Sequence, residues 1–167
     1  MEKSPDHTTT DPIDGDAYRN QALILLRNQK TLVLAVHSSD GPWIAPVYYL
    51  YVPRGIYFYS SPRSKHIQAL DNCSRVAGAI YADGNQWQDI QGLQMTGTVE
   101  QVQSKIQRLN ITTRYLAKFP VVGQMLSTDA AQSESLEARV GLYVFWPLEI
   151  HCTFNRQGFG RRVPIGL

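Results

Sequence analysis

Residues 56–70, IYFYSSPRSKHIQAL, change from a strand pattern to a helix pattern within one short stretch. The first part alternates along its length and is rich in aromatic and β-branched side chains, which favours a pleated strand. The pattern breaks at Pro62 and resumes with Ile67 and Leu70 one helical turn apart. A strand that leads directly into a short helix is therefore predicted here.

The break between this strand and this helix is crowded with polar side chains: Ser60, Ser61, Arg63, Ser64 and Lys65. A helix start exposes backbone N–H groups and a partial positive charge, so a phosphate group binds there readily. Serine hydroxyls, an arginine fork and a lysine ammonium would complete such a site. The alternative is a capped helix whose cations face water, and the local sequence leaves both interpretations open.

Strand patterns also occupy most of the chain on both sides of this stretch. The expected strands are residues 31–37, 43–52, 56–60, 75–81, 89–102, 140–147 and 148–155. Pro46 interrupts the second of them and is expected at a sheet edge or a bulge. Glycines at 92 and 97 suggest bulges or sharp bends in the fifth. Six or seven antiparallel strands predict a mainly β fold, a barrel or a sandwich with accessory helices.

Two helices are predicted from apolar residues at helical spacing. The first is capped by Asp14 or Asp16, and its apolar face consists of Tyr18, Ala22, Leu25 and Leu26. The second covers residues 104–118, with an inner face of Ile106, Leu109, Thr113 and Leu116. Residues 1–15 are predicted to be a flexible tail and residues 16–167 a single domain. Residues 127–137 are expected to form an acidic, exposed loop.

The composition argues against several classes of protein. The chain has 167 residues and a net charge of +2, without the basic stripe of a nucleic-acid-binding protein. It shows no secretory signal and no apolar run long enough to span a bilayer. Cys73 and Cys152 are predicted to be a buried pair of free thiols, which fits a reducing cytosol, with a disulfide as the alternative. We therefore expect a cytoplasmic protein without nucleic-acid or membrane partners.

Sequence motifs of common catalytic classes are absent, including G-x-S-x-G, the P-loop, H-E-x-x-H and G-x-G-x-x-G. The four histidines are scattered along the chain: His7, His37, His66 and His151. The cysteines also lack metal-ligand spacing. No metal site is expected, and no catalytic residue is assigned.

Four stretches, taken in order, resemble the FMN-binding split barrel of the pyridoxamine 5′-phosphate oxidase-like proteins. They are TLVLAVHSSDGPWIAPVYYLYV (31–52), IYFYSSPRSKHIQAL (56–70), SRVAGAIY (74–81) and IQGLQMTGTVEQV (90–102). The segment NRQGFGRR, residues 155–162, resembles the C-terminal pattern of the small, uncharacterised YhbP-like branch. The resemblance implies a split β-barrel that forms a homodimer and binds FMN between its subunits.

The resemblance also implies a set of cofactor contacts. The phosphate would lie against Ser60, Ser61, Ser64 and Lys65, with Arg63 as a near alternative. The backbone along the flavin ring edge would be that of Pro46, Val47 and Tyr48. The glutamine that reaches the cofactor would be Gln94 or, less favoured, Gln91. The partner subunit would line the cleft with Trp87 and with the segment from Phe159 to Arg162, which includes Arg161.

Two classes of function agree with this resemblance. The first is a dimeric FMN-dependent oxidoreductase acting on an unknown small molecule. The second is a non-catalytic module that binds or senses FMN, haem or a deazaflavin, and haem would need His151 or His66 as its axial ligand. A split barrel with a decayed cofactor site is a third interpretation. The true vitamin B6 oxidase carries an Arg-x-His element after its last strand, which this chain lacks, so oxidation of pyridoxamine phosphate is not expected.

Overall fold

The computed structural model describes residues 14–71, 73–123 and 140–167. The helices and strands follow in the order α1 (Gly15–Asn28), β1 (Thr31–Ser38), β2 (Gly41–Val52), β3 (Gly55–Ser60), α2 (Lys65–Gln68), β4 (Arg75–Ala82), β5 (Gln91–Gln101), α3 (Lys105–Lys118), β6 (Gly141–Phe154) and β7 (Arg162–Ile165). The predicted tail falls almost entirely outside the described residues, and the predicted loop at 127–137 lies wholly outside them.

All seven strands join one antiparallel sheet in the order β3-β2-β1-β4-β5-β6-β7. A further pairing of β3 with β6 closes six of the strands into a ring. The last strand, β7, pairs with residues 150–153 of β6. This arrangement is the split barrel that the sequence predicts, and the C-terminal tail contributes its seventh strand.

The main core fills the inside of the ring because alternate residues of each strand point inward. In β1 the inward residues are Leu32, Leu34 and Val36, all buried. Helix α1 packs near the Phe154 end of β6, where the Tyr18 ring lies 5.6 Å from that of Phe154. Asp14 caps this helix through its side chain, and the predicted apolar face is the buried one. Helix α2 lies near the opposite end.

The first eight residues of β2 have a neighbour on one edge only, within the described chain. Residues 41–48 pair with β1, whereas the pairing with β3 begins at Tyr49. Tyr49 donates its N–H to Lys30 on the β1 side. The N–H groups of successive residues point to opposite edges of a strand. Since the N–H of Tyr49 points toward β1, Pro46, which has no N–H, faces the unpaired edge. The expectation that Pro46 marks a sheet edge is confirmed, for the half of β2 in which it lies.

The two strands predicted at 140–147 and 148–155 are one continuous strand, β6. Pro147 does not end it because a bulge takes up the irregularity: Thr96 pairs with Glu149 and Gly97 with Pro147, so Leu148 is left without a partner. A side chain at Gly97 would overlap the carbonyl oxygen of Trp146. The bulge expected at Gly97 is therefore confirmed, and no register shift occurs at Gly92.

The predicted inner face of α3 is wrong. Ile106 and Leu109 are 85% and 72% exposed, and the buried residues of the helix are Ile111 and Tyr115. The helix carries two apolar stripes, and the one with Ile111 and Tyr115 packs on the sheet, whereas the one with Ile106 and Leu109 faces outward. The Tyr115 hydroxyl donates to the carbonyl of Tyr48 at 2.9 Å, a contact that hydropathy alone does not reveal.

Candidate functional site

The junction between β3 and α2 contains a group of short polar contacts that we call the hydroxyl cluster: Ser60, Ser61, Ser64 and His66. Oγ of Ser60 lies 2.8 Å from Nε2 of His66 and 3.2 Å from Oγ of Ser64. The Ser64 hydroxyl donates to the Ser61 carbonyl at 2.8 Å. All four residues are half-buried, so their hydrogen bonds are partly shielded from water yet open to a ligand.

Lys65 extends from the same junction to the hairpin between β1 and β2. Its ammonium group lies 3.0 Å from Oδ2 of Asp40 and 4.7 Å from the centre of the Trp43 ring. The hydrogen bond from Lys65 lowers the pKa of Asp40 below its usual value, with a smaller contribution from Ser39. The predicted phosphate ligand Lys65 therefore already has an anionic neighbour.

The predicted flavin-edge residues lie on β2, in and beside its unpaired edge. Pro46 is exposed, whereas the side chain of Val47 is buried and its main-chain groups face β1, so Val47 offers little to a ligand at the free edge. The side chain of Tyr48 is half exposed and packs against Phe119 with ring centres 5.1 Å apart. The carbonyl of Tyr48 is already bonded to Tyr115. Main-chain groups near Pro46 are consequently the accessible part of this edge.

A groove of about 440 Å³ crosses the outside of strands β1, β4, β5 and β6, and we call it the outer-face groove. Small apolar side chains form its floor: Val33, Ala35, Ala77 and Ala79. Its polar side consists of Gln94, Thr96, Glu149 and His151. The structure thus separates the two candidate glutamines, because Gln94 lines the groove whereas Gln91 has the inward alternation of the core residues of β5.

Trp87 and Phe159 lie together at the other end of the molecule, with ring centres 5.3 Å apart. Asn155, which is 6% exposed, joins the two segments by donating to the carbonyl of Trp87 at 2.8 Å and accepting from the N–H of Gly160 at 3.3 Å. Arg161 follows directly and donates its N–H to Gly158. We call this group, Trp87 with Asn155 and Phe159–Arg161, the aromatic end.

The hydroxyl cluster and the aromatic end do not meet within one chain. Strand β5 starts beside the aromatic end at Gln91, which pairs with Phe154. It ends at Gln101, opposite Tyr143, near the Ser60 end of β3. Ten residues of extended strand span roughly 30 Å. The sequence-predicted site residues therefore form two separate groups in a single subunit.

The fold and the candidate site residues can be compared with those of known protein families. A sequence profile described as pyridoxamine 5′-phosphate oxidase matches residues 19–140, most of the chain. The chain belongs to the pyridoxamine 5′-phosphate oxidase family. The match includes β1 to β5, helices α2 and α3, most of α1 and every residue of the hydroxyl cluster.

Among curated proteins of this family, the chain is similar to bacterial proteins of the UPF0306 group. It is 27% identical over 140 residues to a UPF0306 protein of Klebsiella pneumoniae, covering 83% of this chain and 86% of that protein. It is 24% identical over 143 residues to YhbP of Salmonella paratyphi C, with coverage of 83% and 86%. The predicted relationship to YhbP-like proteins is therefore confirmed.

Solved structures with the same fold bind more than one type of cofactor. An FAD-binding protein from Mesorhizobium loti superposes with a TM-score of 0.59 at 18% identity, covering 78% of this chain and 90% of that one. The haem storage protein HutZ from Vibrio cholerae superposes with a TM-score of 0.62 at 15% identity, covering 78% and 89%. At these identities the likeness shows the shared fold.

Three further observations concern membrane-spanning helices, metal ligands and the two cysteines. In the described segments no helix is long and apolar enough to cross a membrane. Nor do three or more histidine, cysteine or acidic side chains come close enough there to hold a metal ion. Both cysteines are free, as predicted, but the prediction that both are buried is wrong for Cys73, which is exposed, and right for Cys152. Burial raises the pKa of the Cys152 thiol to about 12, so this thiol is unreactive at neutral pH.

Three residues that shape these groups are not predicted from the sequence as part of them. For His66, the sequence predicts only a possible haem ligand, and its spacing after Ser60 and Ser64 is the one signal that links it to them. Asp40 contacts Lys65 from 25 positions earlier, and no local pattern indicates this pairing. Asn155 opens the NRQGFGRR segment, but its contact with Trp87 joins residues 68 positions apart.

Proposed function

We propose that this protein is an FMN-binding flavoprotein that acts as a homodimer, with the flavin in a cleft between two subunits. The observation that carries the proposal is the hydroxyl cluster with Lys65, placed against the start of β2, in a chain of this family. Residues 41–48 of that strand have an unpaired edge in the described chain. Hydrogen-bond donors of this kind suit a phosphate group, and the main chain of a free strand edge can bond to the polar edge of a flavin ring.

The residues present fit the two ends of FMN. Hydroxyl groups of the cluster and the Lys65 ammonium suit a terminal phosphate, because charge-assisted bonds to phosphate oxygens are the strongest available to a protein. Arg63 is a second cation on the same segment. Main-chain donors and acceptors beside Pro46 suit the polar edge of a flavin ring. When bound, FMN supplies hydride or electron transfer, and the protein supplies position and electrostatics.

The homodimer accounts for the separation of the two groups of site residues. One subunit would provide the hydroxyl cluster, and its partner would provide an aromatic end with Trp87 and Arg161. Gln94 on the outer-face groove would face the partner in the same assembly. The two free cysteines are consistent with a cytoplasmic protein. The proposed activity is that of an oxidoreductase acting on a small molecule.

An absorption spectrum of the purified protein, before and after addition of FMN, tests the proposal directly. We expect flavin bands that remain with the protein through a desalting column, and a dimer by light scattering. A colourless protein that does not retain FMN would overturn the proposal. Riboflavin serves as the matched ligand because it has the same ring system and lacks the phosphate.

The double variant Ser61→Ala/Lys65→Ala tests the phosphate position. Each charge-assisted contact contributes roughly 1.5–3 kcal/mol, so the loss of two contacts is expected to lower FMN affinity by at least about 150-fold. Riboflavin affinity should stay the same. Lys105→Ala is the control, because this lysine is exposed at the start of α3, away from the junction. Unchanged FMN affinity in the double variant would place the phosphate elsewhere.

Haem binding is a second candidate function, favoured by the position of one histidine. His151 stands on the polar side of the outer-face groove, whose floor of small apolar side chains suits a flat porphyrin. The alternative ligand, His66, has Nε2 engaged with Ser60. A haem protein would show a Soret band on addition of haemin, and His151→Ala would remove it. Equal haem binding by the variant would exclude His151 as the ligand.

A further inference from the structure

Ser60, Ser64 and His66 form a closed triangle of polar contacts in the hydroxyl cluster. Oγ of Ser60 is 2.8 Å from Nε2 of His66 and 3.2 Å from Oγ of Ser64, and Nε2 is 3.4 Å from Oγ of Ser64. The Ser64 hydroxyl is also 2.8 Å from the Ser61 carbonyl. Because each hydroxyl has a single hydrogen, these contacts restrict which group donates to which.

The hydrogen of Ser64 goes to the Ser61 carbonyl, which can only accept. If Nε2 of His66 carried no hydrogen, Ser60 would donate to it, and the cluster would present only lone pairs to an anion. If Nε2 carries a hydrogen, it donates to Ser60. The Ser60 hydrogen is then available to Ser64 in the free protein and to an anion in the complex.

We infer that His66 is a positioning residue of the phosphate site, which donates Nε2–H to Ser60 so that the Ser60 hydroxyl donates to a phosphate oxygen. The inference rests on the proposed function, because the anion is the terminal phosphate of FMN. His66 acts through Ser60. Burial lowers the pKa of His66 below its usual value, which favours the neutral ring, and the inference places the single hydrogen of that ring on Nε2.

A serine hydroxyl beside a histidine nitrogen also resembles a nucleophile with its general base. That role requires the opposite arrangement, in which Nε2 has no hydrogen and Ser60 is the donor. It also calls for a third group that orients the ring. Within the described residues the hydrogen bonds of the His66 side chain go to Ser60 and Ser64. The positioning role therefore requires a hydrogen on Nε2 of His66, whereas the general-base role requires that Nε2 carries none.

Three variants of His66 test the positioning role through FMN affinity. His66→Leu should weaken FMN binding about tenfold, the effect of losing one oriented hydrogen bond. His66→Gln keeps an N–H near the Nε2 position and should restore the affinity to within about threefold. His66→Asn is the matched control, because its shorter amide does not reach Ser60. Riboflavin affinity should be the same in all three variants.

Two results of this experiment would overturn the inference. The first is an FMN affinity that does not change in His66→Leu. The second is a loss that is equal for FMN and riboflavin, which indicates a purely structural role for the ring. If the wild-type protein binds neither FMN nor riboflavin, the proposed function fails. The position of the hydrogen on the His66 ring must then be measured in the protein without a flavin.

Nitrogen-15 NMR of the histidine rings supplies that measurement. The His66 resonances are assigned by their disappearance in His66→Gln. We expect a hydrogen on Nε2 in the free wild-type chain, and its retention when inorganic phosphate is added. A free-protein spectrum with the hydrogen on Nδ1 would overturn the inference, whether or not FMN binds.

Discussion

The hydroxyl cluster and the aromatic end are held together in opposite ways. In the cluster, the contacts among Ser60, Ser64 and His66 join residues at most six positions apart. At the aromatic end, Asn155 joins Trp87 across 68 positions. Arg156 and Asp89 form an ion pair that connects the same two segments. The contacts of the cluster are local, whereas the aromatic end requires the pairing of β5 with β6.

This difference predicts that substitutions in the two regions affect different properties of the protein, ligand binding in one and folding in the other. Removal of a side chain from a half-buried local cluster should affect ligand binding more than folding, because water can replace the lost contact. Removal of a buried side chain that bridges distant segments should affect folding more than binding, because polar groups in both segments lose a hydrogen-bond partner away from water. Strand β5 runs between the two regions, and a distortion there should affect both.

The largest effect is expected for Gly97→Ala, because the new methyl group would overlap the Trp146 carbonyl and approach the Phe145 ring to 2.9 Å. The β5–β6 ladder would have to shift at its bulge, at a cost of about 3 kcal/mol in the free energy of unfolding. Urea denaturation measures this loss. Both the FMN affinity and the Trp fluorescence should change as well.

Gly92→Ala is the matched control on the same strand. A Cβ at Gly92 would meet its nearest atom, in Tyr81, at the ordinary distance of 3.6 Å. This variant should unfold at nearly the wild-type urea concentration. Equal losses in the two alanine variants would contradict the role given to the bulge.

Asn155→Ala should disrupt the aromatic end and leave the hydroxyl cluster in place. The Trp87 carbonyl would keep only the Ile90 N–H as a donor, and the Gly160 N–H would lose its acceptor, with an expected loss of about 2 kcal/mol in unfolding free energy. Asn155→Asp sharpens the test because it keeps the acceptor and removes the donor. Denaturation followed by Trp87 emission measures both variants. If Asn155→Ala unfolds at the same denaturant concentration as the wild type, the hydrogen bonds of Asn155 do not contribute to the stability of the fold.

The smallest effect is expected for Asp40→Asn. The variant removes the anion beside Lys65 and frees the ammonium group for a phosphate, so FMN affinity should rise a few-fold at low ionic strength. The gain should disappear at high salt, because the carboxylate is fully exposed and its field is screened. Titration of FMN at two salt concentrations measures the change. A fall in affinity would mean that Asp40 positions Lys65 for the ligand.

The parts predicted best from the sequence are those with local causes. The strand-to-helix change at 56–70 brings Ser60, Ser61 and Ser64 together because they are close along the chain. Alternation in β1 predicts its inward residues, and Asp14 is a helix cap by its position. The residues predicted to contact the phosphate form one cluster for the same reason, whatever ligand they bind.

The parts that were not predicted depend on contacts between distant segments. Helix α3 has two apolar stripes, and the choice of Ile111 and Tyr115 over Ile106 and Leu109 is made by the strands beneath it. The continuity of β6 through Pro147 depends on the bulge opposite Gly97 on another strand. The partner of Lys65 lies in a hairpin turn. None of these facts is encoded within a single window of sequence.

The unpaired edge of β2 has a consequence for how the protein behaves at high concentration. Exposed strand edges recruit other strands and can grow into fibres. Pro46 lies in the middle of this edge, with no N–H to offer and a ring that obstructs an approaching backbone. Continuous hydrogen bonding along residues 41–48 is therefore blocked. The edge can accept a small molecule near Pro46 and still resist the addition of a whole chain, because Pro46 and, four residues earlier on the same edge, Pro42 both lack an N–H.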